Sequence, residues 1–188
     1  MPDAKDDLLR PRPAEILALF PLGIVCGTLF GVLMNVVNGW ISPDSLGEEY
    51  LALSYGGDSK KWMWNVQHGM IEGLLGAIAP SLILMIGIAL ISKLRCSLQV
   101  GFTVHLKVVA LCLLSWLVSG FNSMLLALFW PNFSDRLINL SSAISEPLNY
   151  AWAVGSGYGV ITGLILSTVA TLFSFARKWR QIEKNAQI

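Results

Sequence analysis

Apolar residues run in four long stretches, at about residues 16–40, 64–91, 104–130 and 150–176, separated by shorter polar or mixed segments. Each is longer than the ~20 residues a helix needs to cross a bilayer core. The pattern predicts one transmembrane domain over residues 1–188, an all-α integral membrane bundle of four helices. Composition agrees: 54% of residues are hydrophobic, 13% are charged and the mean hydropathy is +0.61, which leaves little chain for a soluble domain. Any chemistry must therefore sit within the bundle.

Net charge, +1, says little, but the placement of charge says more. Lys5, Arg10, Arg12, Lys93, Arg95, Lys107, Arg177, Lys178, Arg180 and Lys184 flank one set of helix ends, against Lys60, Lys61 and Arg136 on the other, ten against three. By the positive-inside rule both termini and the middle connection face the cytoplasm (N-in/C-in), and the loops at about 41–63 and 131–149 face outward. Asp44, Glu48, Glu49, Asp58, Asp135 and Glu146 in those loops are compatible with this, since the rule counts only Lys and Arg. Indole rings favour the headgroup level, and Trp40, Trp62, Trp64, Trp130 and Trp152 fall at expected outer helix ends. Trp179 marks the inner end of the fourth helix, and Trp116 lies mid-span. The first stretch is too long for a signal peptide and no A-x-A-like site follows it, so it reads as a retained anchor.

Pro43, Gly47, Gly56 and Gly57 predict turns in the first outer loop, with room for a short surface helix from Leu46 to Ser54. The connection at about 92–103 is brief and predicts an antiparallel hairpin of the second and third helices. The basic end of the chain, from Arg177, reads as a helical extension against anionic headgroups. A shift of ninety positions superposes Trp40 on Trp130, Trp62 on Trp152, Gly69 on Gly159, Ile71 on Ile161, Gly73 on Gly163 and Leu74 on Leu164. The two outward hairpins are then either related units in parallel orientation or a coincidence of Gly-rich apolar sequence.

Small residues recur every fourth position in all four spans: Gly23, Gly27 and Gly31; Gly69, Gly73 and Ala77; Ser115, Ser119 and Ser123; Gly155, Gly159 and Gly163. At this spacing they form a shallow groove on one helix face, where backbones can approach closely. The grooves serve packing within the chain; alternatively, one on the first or fourth helix is left over for a second copy or a partner. Ile88 is expected to face lipid.

Glu72 is the acidic residue well inside a span, with His68 one turn before it. A carboxylate at membrane depth is costly and needs a partner or a wet cavity. At similar depth lie Asn35, Asn38, Asn65, Ser119, Asn122, Ser123, Ser156, Tyr158 and Thr162. The expected polar pocket is Glu72, His68, Asn35, Asn38, Asn65, Asn122, Ser119 and Tyr158, which would serve as a proton or cation relay, a ligand pocket or a hydrogen-bonded knot that fixes helix register. Pro80 predicts a kink in the second helix. His105 and Lys107 read as an interfacial pair, with Lys107 reaching toward the headgroups.

Other chemistries find no support. Two ligands at His68 and Glu72 are too few for a metal, and Cys26, Cys96 and Cys112 form neither a CxxC nor a Cys/His cluster. No cofactor is implied, and no hydrolase motif is present. Val154-Gly155-Ser156-Gly157-Tyr158-Gly159 looks like a potassium filter but passes directly into an apolar helix.

Gly27-Thr28-Leu29-Phe30-Gly31, then Ile41-Ser42-Pro43 and Trp64 with a Gly-rich second helix, resembles a group of uncharacterised bacterial integral membrane proteins. Their Gly-x-x-aromatic-Gly first helix leads into an Ile-Ser-Pro-x-Tyr loop. The likeness covers about residues 27–76 and departs at Tyr50, which stands where the group has an aromatic close behind the proline. It implies a small multi-span protein of the bacterial inner membrane and carries over no site residues.

Three functions remain open: first, a non-enzymatic subunit or scaffold associating through its small-residue faces; second, a small proton- or cation-coupled transporter or channel using the Glu72/His68 pocket; and third, an intramembrane enzyme. The expected partners are the lipid bilayer and either further copies of the chain or a larger membrane complex, with no nucleic acid. The charge asymmetry leads us to expect that a cysteine replacing Ser45 or Ser134 reacts with a membrane-impermeant thiol reagent in intact cells while Cys96 stays silent; labelling of Cys96 from outside would reverse the orientation.

Overall fold

The computed structural model describes residues 10–41, 61–130, 132 and 147–186. The expected surface helix from Leu46 to Ser54 and the side chains of Trp62 and Trp64 lie outside the described residues. Five helices follow one another: α1 (Pro13–Leu17), α2 (Leu19–Ile41), α3 (Lys61–Ser92), α4 (Leu98–Phe129) and α5 (Pro147–Ala186). Among the described residues there is no strand. Four helices are long and apolar enough to cross a membrane, α1 and α2 together forming the first, which is the build of an integral membrane protein.

Local signals explain the helix limits. Pro13 opens α1, where its missing N–H costs no helical bond. Pro21 has no N–H for the Leu17 carbonyl, and the chain steps there from α1 into α2. After Ser92 the backbone turns through left-handed conformations at Lys93 and Leu94, φ 52° and 65°. The turn is held by Leu94 N–H donating to the Ala89 carbonyl at 3.0 Å. At the start of α4 the Glu15 carboxylate accepts from Leu98 N–H at 2.7 Å, putting a negative charge on a helix N-terminus. Pro131 stops α4. α3 runs unbroken through Pro80.

α4 and α5 are longer than their apolar stretches: 32 and 40 residues span about 48 and 60 Å, against a hydrocarbon core of ~30 Å. Both extend past their apolar stretches at the end that carries the Lys93–Ser97 connection, here called the basic end. There Lys93 and Arg95 sit 3.5 and 3.8 Å from Glu183 and tie the tail of α5 to the connection.

The tight pairs are α2 with α3 and α4 with α5. The pairs lie side by side, α2 against α4 and α3 against α5, with α3 and α4 on a diagonal. This corrects the expected hairpin of the second and third spans: they are consecutive but barely touch, because their small-residue faces point to other helices. A Cβ on Gly31 would lie 2.5 Å from the Gly73 Cα, and one on Gly69 2.6 Å from the Gly31 carbonyl oxygen. A Cβ on Gly73 would lie 2.6 Å from the Gly27 carbonyl oxygen, while Gly27 is pressed against Ala77 and Gly23 against Ser81. In the second pair a Cβ on Gly159 or Gly163 would lie 2.6 Å from the Cβ of Ser119 or Ser115 respectively, and Gly155 abuts Ser123. Ser115 Oγ also donates to the Gly159 carbonyl at 2.8 Å. Both hairpins thus close on the same device, glycine backbone against a small residue.

Two apolar clusters join the hairpins. Toward the basic end, Ile16, Leu19, Leu84, Ile88, Cys96, Val104, Val108, Phe175 and Trp179 pack together. In the far half, Met34, Trp116 and Trp152 pack with Phe30, Val37 and Val160 around them. Three sequence expectations fail here. Ile88 is fully buried instead of facing lipid. Trp152 is buried edge-on against Trp116, ring centroids 5.6 Å apart, instead of standing at the headgroups. Trp179 is buried against Phe175. All three sit on helices that are apolar nearly all round, so the packing partner decides which side is inside.

Among the described glycines, only Gly76 and Gly157 have open space where a Cβ would go. We therefore expect Gly73→Ala to lower stability in detergent by about 1–3 kcal/mol, the range for overpacking a filled contact, and Gly76→Ala to leave it unchanged. Equal melting temperatures for the two variants would contradict this seam.

Candidate functional site

Between the two apolar clusters the bundle leaves a cleft of about 140 Å³ lined from all four spans. Small residues make up much of one wall: Gly23, Gly27, Gly73, Gly76 and Ala77 line it, so the residues that let α2 and α3 approach also leave space on their inner side, bounded by Phe30, Leu84 and Val108. The cleft opens past Gly76. Pro80 also lines it and offers no N–H to the Gly76 carbonyl, so this backbone oxygen at the opening lacks its helical partner.

Glu72 stands on the rim. Its Oε2 accepts from Asn35 Nδ2 at 2.9 Å, and its Oε1 lies 2.9 Å from His68 Nε2. Asn35 is buried and also donates to the Gly31 carbonyl at 3.2 Å, which fixes its amide on the α2–α3 seam. The Glu72 side chain remains 56% exposed and that of His68 41%, so the carboxylate is held from one side and open on the other.

The floor of the cleft holds a group that the sequence reading placed elsewhere. His105 is 3% exposed and lines the cleft beside Ser81, instead of forming an interfacial pair with Lys107. Residues two apart on a helix point to nearly opposite sides, so one of the two must turn inward. His105 Nδ1 lies 3.0 Å from the Gly101 carbonyl, which can only accept, so the proton is on Nδ1 and Nε2 carries a lone pair. That Nε2 is buried and has no hydrogen-bond partner among the described residues. A buried acceptor beside a mostly apolar cleft is a costly arrangement unless it takes a proton, a water or a ligand hydroxyl.

The expected polar pocket divides. Glu72, His68 and Asn35 come together as one group on the first hairpin. Asn38 belongs to a second group: its Oδ1 accepts from Trp152 Nε1 at 2.9 Å and from Ser156 Oγ at 3.3 Å, joining α2 to α5. Asn65 is buried against Gly39, its Oδ1 without a partner. Ser119 lies in the α4–α5 seam against Gly159. Tyr158 and Asn122 are exposed on the outside of the bundle and belong to no pocket, because the inward faces of α5 and α4 are taken by the Gly–Ser seam together with Trp116 and Trp152. Among the described residues no group of three metal-ligating side chains forms.

Cys96 lies outside the spans, fully buried in the basic-end cluster. Burial, and then the nearby Glu15 carboxylate, push its thiol up to about 11. Its silence toward a thiol reagent therefore reports burial as well as sidedness, and Gln99→Cys, an exposed position next to the connection, is the better inner control. Against the ordinary value of 9.0, the thiolate fraction near pH 8 falls about a hundredfold. We expect Cys96 in opened membranes to react slowly at pH 8 and faster as pH rises toward 11; a rate equal to that of an exposed cysteine would contradict the burial. As to relatives, no protein-family model, curated protein or solved structure matches the chain.

Proposed function

We infer that the chain is a small membrane transporter or channel coupled to protons, with the cleft as its working site. The observation that carries this reading is one cleft with a half-exposed carboxylate on its rim and a buried imidazole with a free Nε2 lone pair on its floor. A structural knot would bury Glu72 and satisfy every member; here the carboxylate is open and the imidazole is unsatisfied. Ionisable groups inside a membrane domain mark proton and ion paths more often than they mark stability, since each is costly to keep.

The chemistry available is a two-station relay. The Glu72 carboxyl is held by the amide of Asn35 and by His68. Taking up a proton weakens both contacts and sends the proton toward the cleft, where several waters fit among the Gly76 carbonyl, Ser81 and His105. His105 Nε2 can accept the proton while Nδ1 keeps its bond to Gly101. On the orientation read from the charges, Glu72 is the outer station and His105 the inner one.

The alternative, a subunit or scaffold associating through small-residue faces, loses its main support. Gly27 and Gly31 of α2 and Gly155, Gly159 and Gly163 of α5 are filled by the chain's own helices, which leaves Gly157 as a free position on α5. Association with further copies or with a larger complex of the inner membrane would then have to use another surface.

The test is proton flux into proteoliposomes. We expect Glu72→Gln, which keeps size and hydrogen bonding, and His105→Gln each to abolish flux while leaving melting temperature nearly unchanged. Glu72→Leu, which strands Asn35, should in addition destabilise by ~1–3 kcal/mol. Flux at the unaltered level in Glu72→Gln would overturn the relay, and a stable complex with a larger partner would then favour the subunit.

A further inference from the structure

We propose that a groove between α4 and α5 at the basic end binds the phosphate headgroup of an anionic phospholipid, a site separate from the cleft. The groove measures about 210 Å³, and Thr103, Lys107, Ser174, Phe175, Lys178 and Trp179 are among the residues that line it. Its charge is of one sign: two ammonium groups and no carboxylate.

The nearest acid along α5, Glu183, does not line the groove and is engaged by Lys93 and Arg95. Thr103 and Ser174 donate their hydroxyl protons to carbonyls of their own helices, at 2.9 Å each, so the donors left to an anion are drawn from Lys107, Thr171, Lys178 and Trp179. Trp179 is the second, independent observation. It is 4% exposed, and its Nε1–H is buried with no acceptor, a costly state for a donor-only group unless something accepts from it. An anionic oxygen in the groove would pair with the two lysines, and an inward turn of the indole would let it accept from the Nε1–H as well.

Depth selects the source of the phosphate. Lys107 lies nine residues from the start of α4, about 14 Å along an axis whose total length exceeds the hydrocarbon core by about 18 Å. Lys178 lies eight residues before the end of α5. Both ammonium groups therefore stand where the helices leave the hydrocarbon, at headgroup level. Phe175, three residues deeper on α5 than Lys178, supplies an apolar wall below them, and Phe173, deeper still, is exposed where an acyl chain can lie. A soluble phosphate has no use for that wall, whereas a lipid does.

The experiment is lipid binding to the full-length protein by native mass spectrometry and by thermal shift in detergent, with phosphatidylglycerol, phosphatidylcholine and inorganic phosphate as the three probes. We expect phosphatidylglycerol to bind roughly thirtyfold more tightly than phosphatidylcholine, the preference two interfacial lysines give. Lys107→Gln/Lys178→Gln should abolish the preference while leaving the lipid-free melting temperature unchanged. Arg177→Gln/Lys184→Gln, which removes as much charge outside the groove, should keep it. Trp179→Phe, which keeps the ring packing on Phe175 but removes the N–H, should weaken phosphatidylglycerol binding severalfold. Equal binding of the two lipids, an unaltered preference in the lysine double variant, or Trp179→Phe binding as tightly as the unaltered chain would overturn the site. Inorganic phosphate competing as well as the lipid would overturn the assignment to a lipid.

Discussion

Everything in this bundle depends on how closely two helix backbones can approach where side chains are missing. In lipid, apolar side chains gain little by leaving their surroundings for one another, so helices must be held by dense contact and a few hydrogen bonds. Gly31, Gly69 and Gly73 supply that contact in the first hairpin. Gly155, Gly159 and Gly163 against Ser115, Ser119 and Ser123 supply it in the second. The order of helices around the bundle follows, and the second and third spans end up on a diagonal because neither has a groove left for the other.

The same economy of side chains makes the cleft. On the seam side, Gly27, Gly73 and Ala77 are filled by the partner backbone; on the inner side they leave room that Phe30, Leu84 and Val108 do not reach across. Glu72 and His105 are then positioned by unrelated constraints, one by Asn35 on the seam and the other by the carbonyl of Gly101 one turn back on its own helix. Structure and candidate function are linked here: a seam of larger residues would hold the hairpin apart, shift Asn35 and close or distort the cleft.

The four spans were legible in the sequence because hydropathy over twenty residues is a strong signal, and the grooves because a spacing of four defines a helix face. The pairing of Glu72 with His68 was legible for the same reason. What could not be read was helix rotation. Where a helix is apolar nearly all round, nothing along the chain says that Ile88 faces inward or that Trp152 turns from the headgroups into Asn38 and Trp116. His105 was hidden by its neighbour: Lys107 signalled an interface, and only the opposite direction of positions two apart would have suggested that the imidazole is inside. Tyr158 and Asn122 erred the other way, sharing depth with Glu72 but not direction. Depth is a one-dimensional quantity, and a site needs two more.

The central claim is that the space between the hairpins is a wet, working cleft. Its most direct test is thiol reactivity at two positions of α3 in a cysteine-free background, Gly76→Cys at the opening of the cleft and Ile83→Cys on the exposed apolar face. A thiol ionises, and so reacts with a charged methanethiosulfonate reagent, only where water reaches it. The account predicts that in lipid nanodiscs Gly76→Cys reacts readily and Ile83→Cys hardly at all. Equal inertness of the two would mean that acyl chains fill the cleft, and would contradict it.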